Sequence, residues 1–439
     1  MNYERELLER MLQNPRQSAD DFQNIHRQIA ESDLSFRGRC VQTLGVPKIF
    51  SADTYRHMTD FTTKCFALFH KVMERYFCDA DYRKLFGFPA ALEELILLSA
   101  GKPPFIPMAR VDFFLQEDTE DITLCEINTD GASAMNEDRI LGGLLSSHSA
   151  FQEYMTDKPH KRFELFDSWA AEFANMYQRM KNSDALPNVV IADFLEKATI
   201  HEFERFKESF ISRGMQTEIC DVRELSYTNG RLRTPSGMEV DAVYRRAVTA
   251  DIMAEYDNTK PFIQAAKDGA VSLIGEFCTQ IIHNKKIFLV LHHETTKSFL
   301  TAEEIAFVGN HVPLTLALSD ENIRSGRALE DKDAWIIKPY DSYGSKGVYA
   351  GLNYSAEDWA ALVNENTGSN YLMQRFTRPY KTPNIDYRKL SPSVRDYSNI
   401  TGIFCYNEQP YGVYSRLAEG EIISSQYDEK TVATVLCGE

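Results

Sequence analysis

The chain has 439 residues, 43% of them hydrophobic and 26% charged, with a formal net charge of −16. That acid excess argues against polyanionic partners, so neither a nucleic acid nor an anionic membrane is expected. No run of about 18 apolar residues reads as a membrane span, and the length prior gives about two or three domains.

The chain opens with "MNYERELLERMLQ", charged and amphipathic and without an apolar h-region, so no signal peptide is expected. The eight cysteines are scattered, with no CxxC pair. They read as free thiols in a reducing compartment, and the cytoplasm is the expected location. Residues 1–105 read as a helical N-terminal region, because "ERELLERMLQ", "FTTKCFALFHKVMERYF" and "ALEELILLSA" repeat apolar positions three and four apart. Residues 106–150 change texture: "IPMARVDFFLQEDTEDITLCEINTDG" reads as two strands joined by a polar turn. A helical connection over 151–183 follows.

Residues 184–280 alternate short strands and helices. "NVVIADF" is an apolar strand, "HEFERFKESFISRG" a helix stopped by Gly214, and "VDAVYRR" another extended piece. That pattern predicts a Rossmann-like open sheet, without the GxGxxG of a dinucleotide site. Over 281–439, strands are predicted at "AWIIKP", "GVYAGL", "YLMQRF", "ITGIFCYN" and "YGVYSRL". Thr382 to Ser398, with two prolines and no clear period, is predicted to be a surface loop.

The chemistry concentrates in two stretches. In "RVDFF…LCEINTDGASA", strand alternation puts Arg110 with Asp112 on one strand and Glu126 with Asn128 on the next, and a hairpin brings the pairs side by side. Two acids and an amide suit magnesium, which takes one or two carboxylates together with substrate phosphates and water. A solvated polar hairpin face is the plain alternative. Asp130, before Gly131, reads as a turn former. The small residues Gly131 to Ala134 leave space, and Ser133 offers a hydroxyl to a substrate carboxylate or phosphate. In "IIKPYDSYGSKGVYAG", Lys338 ends a strand before a loop with Ser342, Gly344, Ser345, Lys346 and Gly347. Small residues let backbone N–H groups approach an anion, although an ordinary glycine-rich hairpin turn fits the loop as well. Gln374 ends a strand that suits a purine slot or simply an exposed strand end. Lys285 precedes an apolar run and alone reads as a surface lysine. Arg245 and Arg246 are a carboxylate or phosphate clamp, or else a helix cap or solvent-facing pair.

Together these motifs resemble the glutathionylspermidine synthetase-like, circularly permuted ATP-grasp ligases. "RVDFF…CEINTDGASAMNE" looks like their R-x-D…E-x-N-x-D segment, and "WIIKPYDSYGSKGVYAG" like their K-P…G-x-G-V loop. "NKKIF", "HVPLT", "YLMQRF" and "YGVYSR" follow in the family's order, so the resemblance spans roughly Pro107 to Arg416. It implies an α/β chain with α+β lobes: an ATP-grasp over 281–439, circularly permuted, its metal hairpin at 106–150 and a Rossmann-like pre-ATP-grasp sheet at 184–280. ATP and Mg2+ are the implied cofactors. Lys285, Lys338, the loop from Ser342 to Gly347 and Gln374 are implied to bind ATP. Asp112, Glu126 and Asn128 are implied to hold magnesium, with Arg110 and Arg416 as the catalytic cations and Ser133, Arg245 and Arg246 at the substrate.

The implied reaction is amide formation through an acyl phosphate, from a small-molecule or peptide carboxylate and an amine. A phosphotransferase and a degenerate ATP-binding scaffold are the alternatives, and a homodimer is among the expectations. The family follows its acidic motif with proline- and threonine-rich residues where this chain has "GASAMNED", so glutathione and spermidine are not implied as substrates.

Overall fold

The computed structural model describes residues 3–36, 39–102, 105–324, 326, 328–342, 344, 346–389, 391–424 and 428–438. Its central element is an antiparallel sheet of long strands. Met108–Leu115 and Ile122–Asn128 form a hairpin, and Met108–Leu115 pairs on its other edge with Val394–Tyr406. Gln409–Ala418 and Lys430–Val432 continue the sheet. The buried faces are rich in β-branched and aromatic residues, which suit a pleated surface packed on one side.

The first hundred residues supply the cover. The 27-residue helix Ala52–Cys78 is started by Ser51, whose hydroxyl accepts the Thr54 N–H at 3.1 Å. Its buried face carries Met58, Phe61, Cys65, Phe69, Val72 and Tyr76, three or four residues apart. Phe61 meets Phe113 of the sheet edge to face, ring centroids 5.5 Å apart. Each such side chain taken from water contributes about 1.5–3 kcal/mol. The helical expectation for 1–105 is corrected at two places: Ser35–Phe36 pairs antiparallel with Arg39–Cys40, and a longer strand follows. Lys48–Ser51 is a strand, paired in parallel with Thr434–Cys437 from the far end of the chain. A four-residue strand whose partner lies so distant leaves no local period to read.

Val189–Asp193, Thr217–Asp221, Ala242–Arg245 and Ser272–Ile274 form a parallel sheet. The helix Ile200–Ser212 returns between the first two strands and ends near Gly214, at φ +87°. One core joins this sheet to the long helix and the acidic hairpin, and includes Phe69, Val111, Ile127 and Val243. A smaller antiparallel sheet holds Thr315–Ala317, Tyr371–Arg375, Trp335–Pro339 and Tyr349–Ala350. It has its own core around Trp335, Ile337, Trp359 and Met373. Two separately packed sheets leave a cleft between them. The strand expected over "GVYAGL" is only Tyr349–Ala350, because a 3-10 turn begins at Gly351.

The expected loop from Thr382 to Ser398 is also corrected. Lys381–Ile385 pairs antiparallel with Val394–Tyr406, from Lys381 opposite Ser398 to Ile385 opposite Val394. Its two buried polar residues, Thr382 and Asn384, are satisfied inside the protein. The Asn384 amide accepts the Val46 N–H and donates to the Val46 carbonyl, both at 2.9 Å. That removes the penalty of burying an amide and hides the strand from a reading by polarity. No described helix is long and apolar enough to cross a membrane.

Candidate functional site

The hairpin register sets Arg110 opposite Asn128 and Asp112 opposite Glu126. Their side chains meet on one face. Asp112 is fully buried and accepts four N–H bonds: two from Arg110 at 2.7 and 2.9 Å, one from Asn128 at 3.1 Å and one from Arg416 at 2.7 Å. Arg416 arrives from Gln409–Ala418, two strands away across Gly402, which stands directly opposite Asp112. A Cβ on Gly402 would press on the Asp112 carboxylate and come within 3.0 Å of the Arg110 Cδ. The glycine therefore supplies the space in which the two guanidinium groups converge. Burial opposes the charge on Arg416, but Asp112 and Glu429 outweigh it and hold the group above its ordinary range.

Glu126 opens onto the cleft, with 31% of its side chain exposed. Burial would raise its carboxyl, but Lys285, Arg416, Lys338 and Arg110 bring it down to about 2. It is therefore an anion throughout the physiological range. Lys285 Nζ lies 3.7 Å from Glu126 and donates to the Ser342 carbonyl at 2.9 Å. The Lys285 N–H also holds the Tyr340 carbonyl at 2.8 Å, so this residue fixes the start of the glycine-rich loop. Lys338 donates to Gln374 Oε1 at 2.9 Å, and Gln374 Nε2 donates to the Thr315 hydroxyl at 2.9 Å. Within the loop, the Ser342 hydroxyl donates to the Lys346 carbonyl, Gly347 sits at φ +75°, and the Gly344 carbonyl accepts from Ser424. Ser345 lies outside the described residues.

Several of these groups line a cleft between the large and small antiparallel sheets. Its apolar walls include Phe114, Leu124, Ile336, Val348, Ile400 and Ile423; Glu126, Lys285, Lys338, Ser342, Gln374 and Arg416 line it too. An apolar slot with a few convergent polar groups is the usual form of a small-molecule site. Of the charged side chains that line it, Lys285, Lys338, Arg375 and Arg416 are cations and only Glu126 and Glu421 are anions. A local excess of positive charge within a chain of net charge −16 favours an anionic ligand.

The donor set also fits a hard cation. The Asn128 amide lies 3.5 Å from the Glu126 carboxylate, and both stand beside Asp112. Asp112 is already taken up by Arg110, Asn128 and Arg416, which leaves Glu126 and the Asn128 amide as the donors open to a magnesium ion that brings phosphate oxygens with it. Among the described residues, no group of three or more His, Cys, Asp or Glu side chains is placed to hold a metal.

The remaining residues fall elsewhere. Ser133 meets the cluster through its backbone, its carbonyl accepting Arg110 Nη1 at 2.7 Å. Arg245 and Arg246 are buried and already partnered. Arg245 pairs with Asp130 and donates to the Gly275 carbonyl at 2.6 Å; Arg246 pairs with Glu202 at 2.9 Å and also donates to the Ala132 carbonyl. Asp130 is thus a buried anion as well as the residue before the turn at Gly131: it pairs with Arg245 and accepts the Thr249 N–H. The two arginines, Gly131 and Ala132 line a second, much smaller cavity, with room for about a single water, and the Trp169 indole N–H and Arg246 Nε, both buried, have no hydrogen-bond partner. Sequence reasoning did not single out Gly402, Thr315 or Glu421. Gly402 has a signal only in the register, Thr315 sits in the quoted "HVPLT", and Glu421 follows Arg416 by five residues with no pattern of its own.

No family model matches the chain, and no curated protein matches it. Among solved structures, the chain is similar to a glutathione synthetase-like effector (GSS30) from Globodera pallida in its apo form. The TM-score is 0.61 at 11% identity, over 95% of this chain and 96% of that one. A putative gamma-glutamylcysteine synthetase from Methylobacillus flagellatus KT also aligns, at a TM-score of 0.42 and 9% identity over 88% of this chain and 89% of that one. The first likeness shows that the two chains share a fold.

Proposed function

We propose that the cleft binds ATP with magnesium and that the chain is a carboxylate–amine ligase of the circularly permuted ATP-grasp type. The observation that carries this reading is the single cluster in which Arg110, Asp112, Glu126, Asn128 and Arg416 stand beside Lys285 and Lys338 at one apolar-walled cleft. The fold shared with a protein described as glutathione synthetase-like supports it.

On this reading the adenine lies among the apolar walls near Gln374, and Lys285, Lys338 and the loop at Ser342–Gly347 face the phosphates. Glu126 and Asn128 would hold magnesium, with Asp112 joining them once phosphate oxygens compete for Arg416. The ion would supply charge neutralisation at the transferring phosphoryl group. A substrate carboxylate attacks the γ-phosphate, forming an acyl phosphate and releasing ADP. An amine then attacks the acyl carbon, phosphate leaves, and the amide nitrogen gives up its proton. Both steps need positioning and fixed positive charge, which Arg110 and Arg416 provide, and neither needs a nucleophilic Ser or Cys. We assign the acyl substrate to the end of the cleft beside Arg110 and Ser133, whose carbonyl accepts from that arginine.

The test is ADP release from Mg·ATP over a panel of carboxylates and amines. Glu126→Gln should cut turnover by roughly 100-fold or more, the usual effect of removing one charged contact to a transition state, with an unchanged circular-dichroism spectrum. Wild-type turnover in that variant would overturn the metal assignment.

A further inference from the structure

The smaller antiparallel sheet carries a row of hydrogen bonds that ends on Lys338. Thr315 stands directly opposite Gln374, and Lys338 lies two residues beyond Ile336, which faces Gln374 from the other side. The three side chains therefore share one face of the sheet. The Thr315 hydroxyl donates its one proton to the Pro313 carbonyl at 2.8 Å, and His292 Nε2 donates to the same oxygen at 3.1 Å. Toward Gln374 the hydroxyl can then only accept, and it takes Gln374 Nε2 at 2.9 Å. Lys338 can only donate, and it meets Gln374 Oε1 at 2.9 Å. One orientation of the amide satisfies both neighbours. The reversed one would set an NH2 group against the ammonium. Thr315 and Gln374 are 2% and 3% exposed, so bulk water does not replace either partner.

We propose that Thr315 is a positioning residue for nucleotide binding: it orients the Gln374 amide so that the amide oxygen holds the Lys338 ammonium in place at the cleft. This rests on the nucleotide reading above. An ammonium has three protons to donate. One goes to Gln374, which leaves two for phosphate oxygens. A lysine side chain is long and has many rotamers, so an anchor made before binding lowers the cost of ordering it on the ligand. Valine at position 315 would keep the shape and remove the acceptor. The amide could then turn its NH2 group toward Lys338 and displace the ammonium.

The test is calorimetric titration of the full chain with Mg·ATP, for wild type, Thr315→Val, Thr315→Ser, Lys338→Ala and the double variant Thr315→Val with Lys338→Ala. Thr315→Val should weaken binding roughly tenfold, the range of one hydrogen bond to a charged group. Valine suits a strand, so the fold should hold. Thr315→Ser, which keeps the hydroxyl, should bind as wild type does. In the Lys338→Ala background, Thr315→Val should have no further effect, because residue 315 acts only through that ammonium. A role in packing alone gives a different pattern: the loss persists without Lys338, and serine, which lacks the methyl group, weakens binding as well. Either result overturns the proposal, and so does wild-type affinity in Thr315→Val. A wild type that binds no Mg·ATP is a distinct result: it removes the nucleotide reading itself and this inference with it.

Discussion

Gly402 shows how one missing side chain can shape a charged cluster. It stands opposite Asp112 in the sheet, and the space above it is where Arg110 and Arg416 meet the carboxylate. Its backbone is not in the left-handed region, so an alanine there tests space alone. Gly402→Ala should displace the Asp112 carboxylate and lower turnover by at least about tenfold, since small misplacements at a reacting centre are expensive. The apo fold should survive, with a thermal midpoint within a few degrees of wild type. Unaltered kinetics would show that the convergence of the two arginines does not matter to the reaction. The residues around the glycine were readable from the sequence to different degrees. Asp112, Glu126 and Asn128 announce themselves through strand alternation, with Ile127 marking the opposite, buried face. Gly402 does not, because its meaning depends on a pairing nearly 300 residues away. Arg245 and Arg246 were visible as a pair, but their buried partners Asp130 and Glu202 were not.

The helix Met135–Leu144 shows the same division at the scale of an element. It starts just after the small-residue stretch, with Ala134 left-handed at φ +85° and no side-chain cap of its own. Glu202, from the helix Ile200–Ser212, caps it instead, accepting the N–H groups of Met135 at 2.8 Å and Asn136 at 3.3 Å. A cap borrowed from another element cannot be found in the local sequence. Asp138, in the first turn, is buried and accepts the Thr434 N–H at 3.2 Å. Burial pushes its carboxyl up to about 7, against the pull of that hydrogen bond and of Arg162. The neutral acid is the form that suits the fold. Its stabilising contribution is complete below about pH 4, the ordinary range of an aspartate, and is lost as the pH rises toward 7. Asp138→Asn keeps an acceptor for Thr434 and carries no charge. Urea unfolding from pH 4 to pH 7 should therefore show a flatter stability profile in the variant, by up to ~4 kcal/mol across that window. Parallel profiles would contradict the assignment of a raised carboxyl.

At the scale of the molecule, the long helix and the parallel sheet were legible because each repeats its own period over many residues. The sheet made by Lys48–Ser51, Thr434–Cys437 and His160–Arg162 was not, because its three short strands come from distant parts of the chain. Lys48 reinforces that junction. It is 2% exposed and donates to Glu4 of the first helix at 3.1 Å and to Glu117 in the turn of the acidic hairpin. Lys48→Met should cost about 3–5 kcal/mol by leaving two partly buried carboxylates facing each other. Chemical denaturation measures this, and a change under about 1 kcal/mol would show that the junction holds through its backbone pairing alone.

The local cationic cleft in an acidic chain is the feature on which the whole account turns. Thermal unfolding with and without magnesium and a slowly hydrolysed ATP analogue tests it most directly. A ligand present at 100 times its dissociation constant adds about 2.7 kcal/mol to the folded state. The melting temperature should rise in a magnesium-dependent way, and the rise should shrink in Lys338→Ala and in Glu126→Gln. No rise at millimolar Mg·nucleotide would contradict a nucleotide site in this cleft, and the ligase mechanism would fall with it.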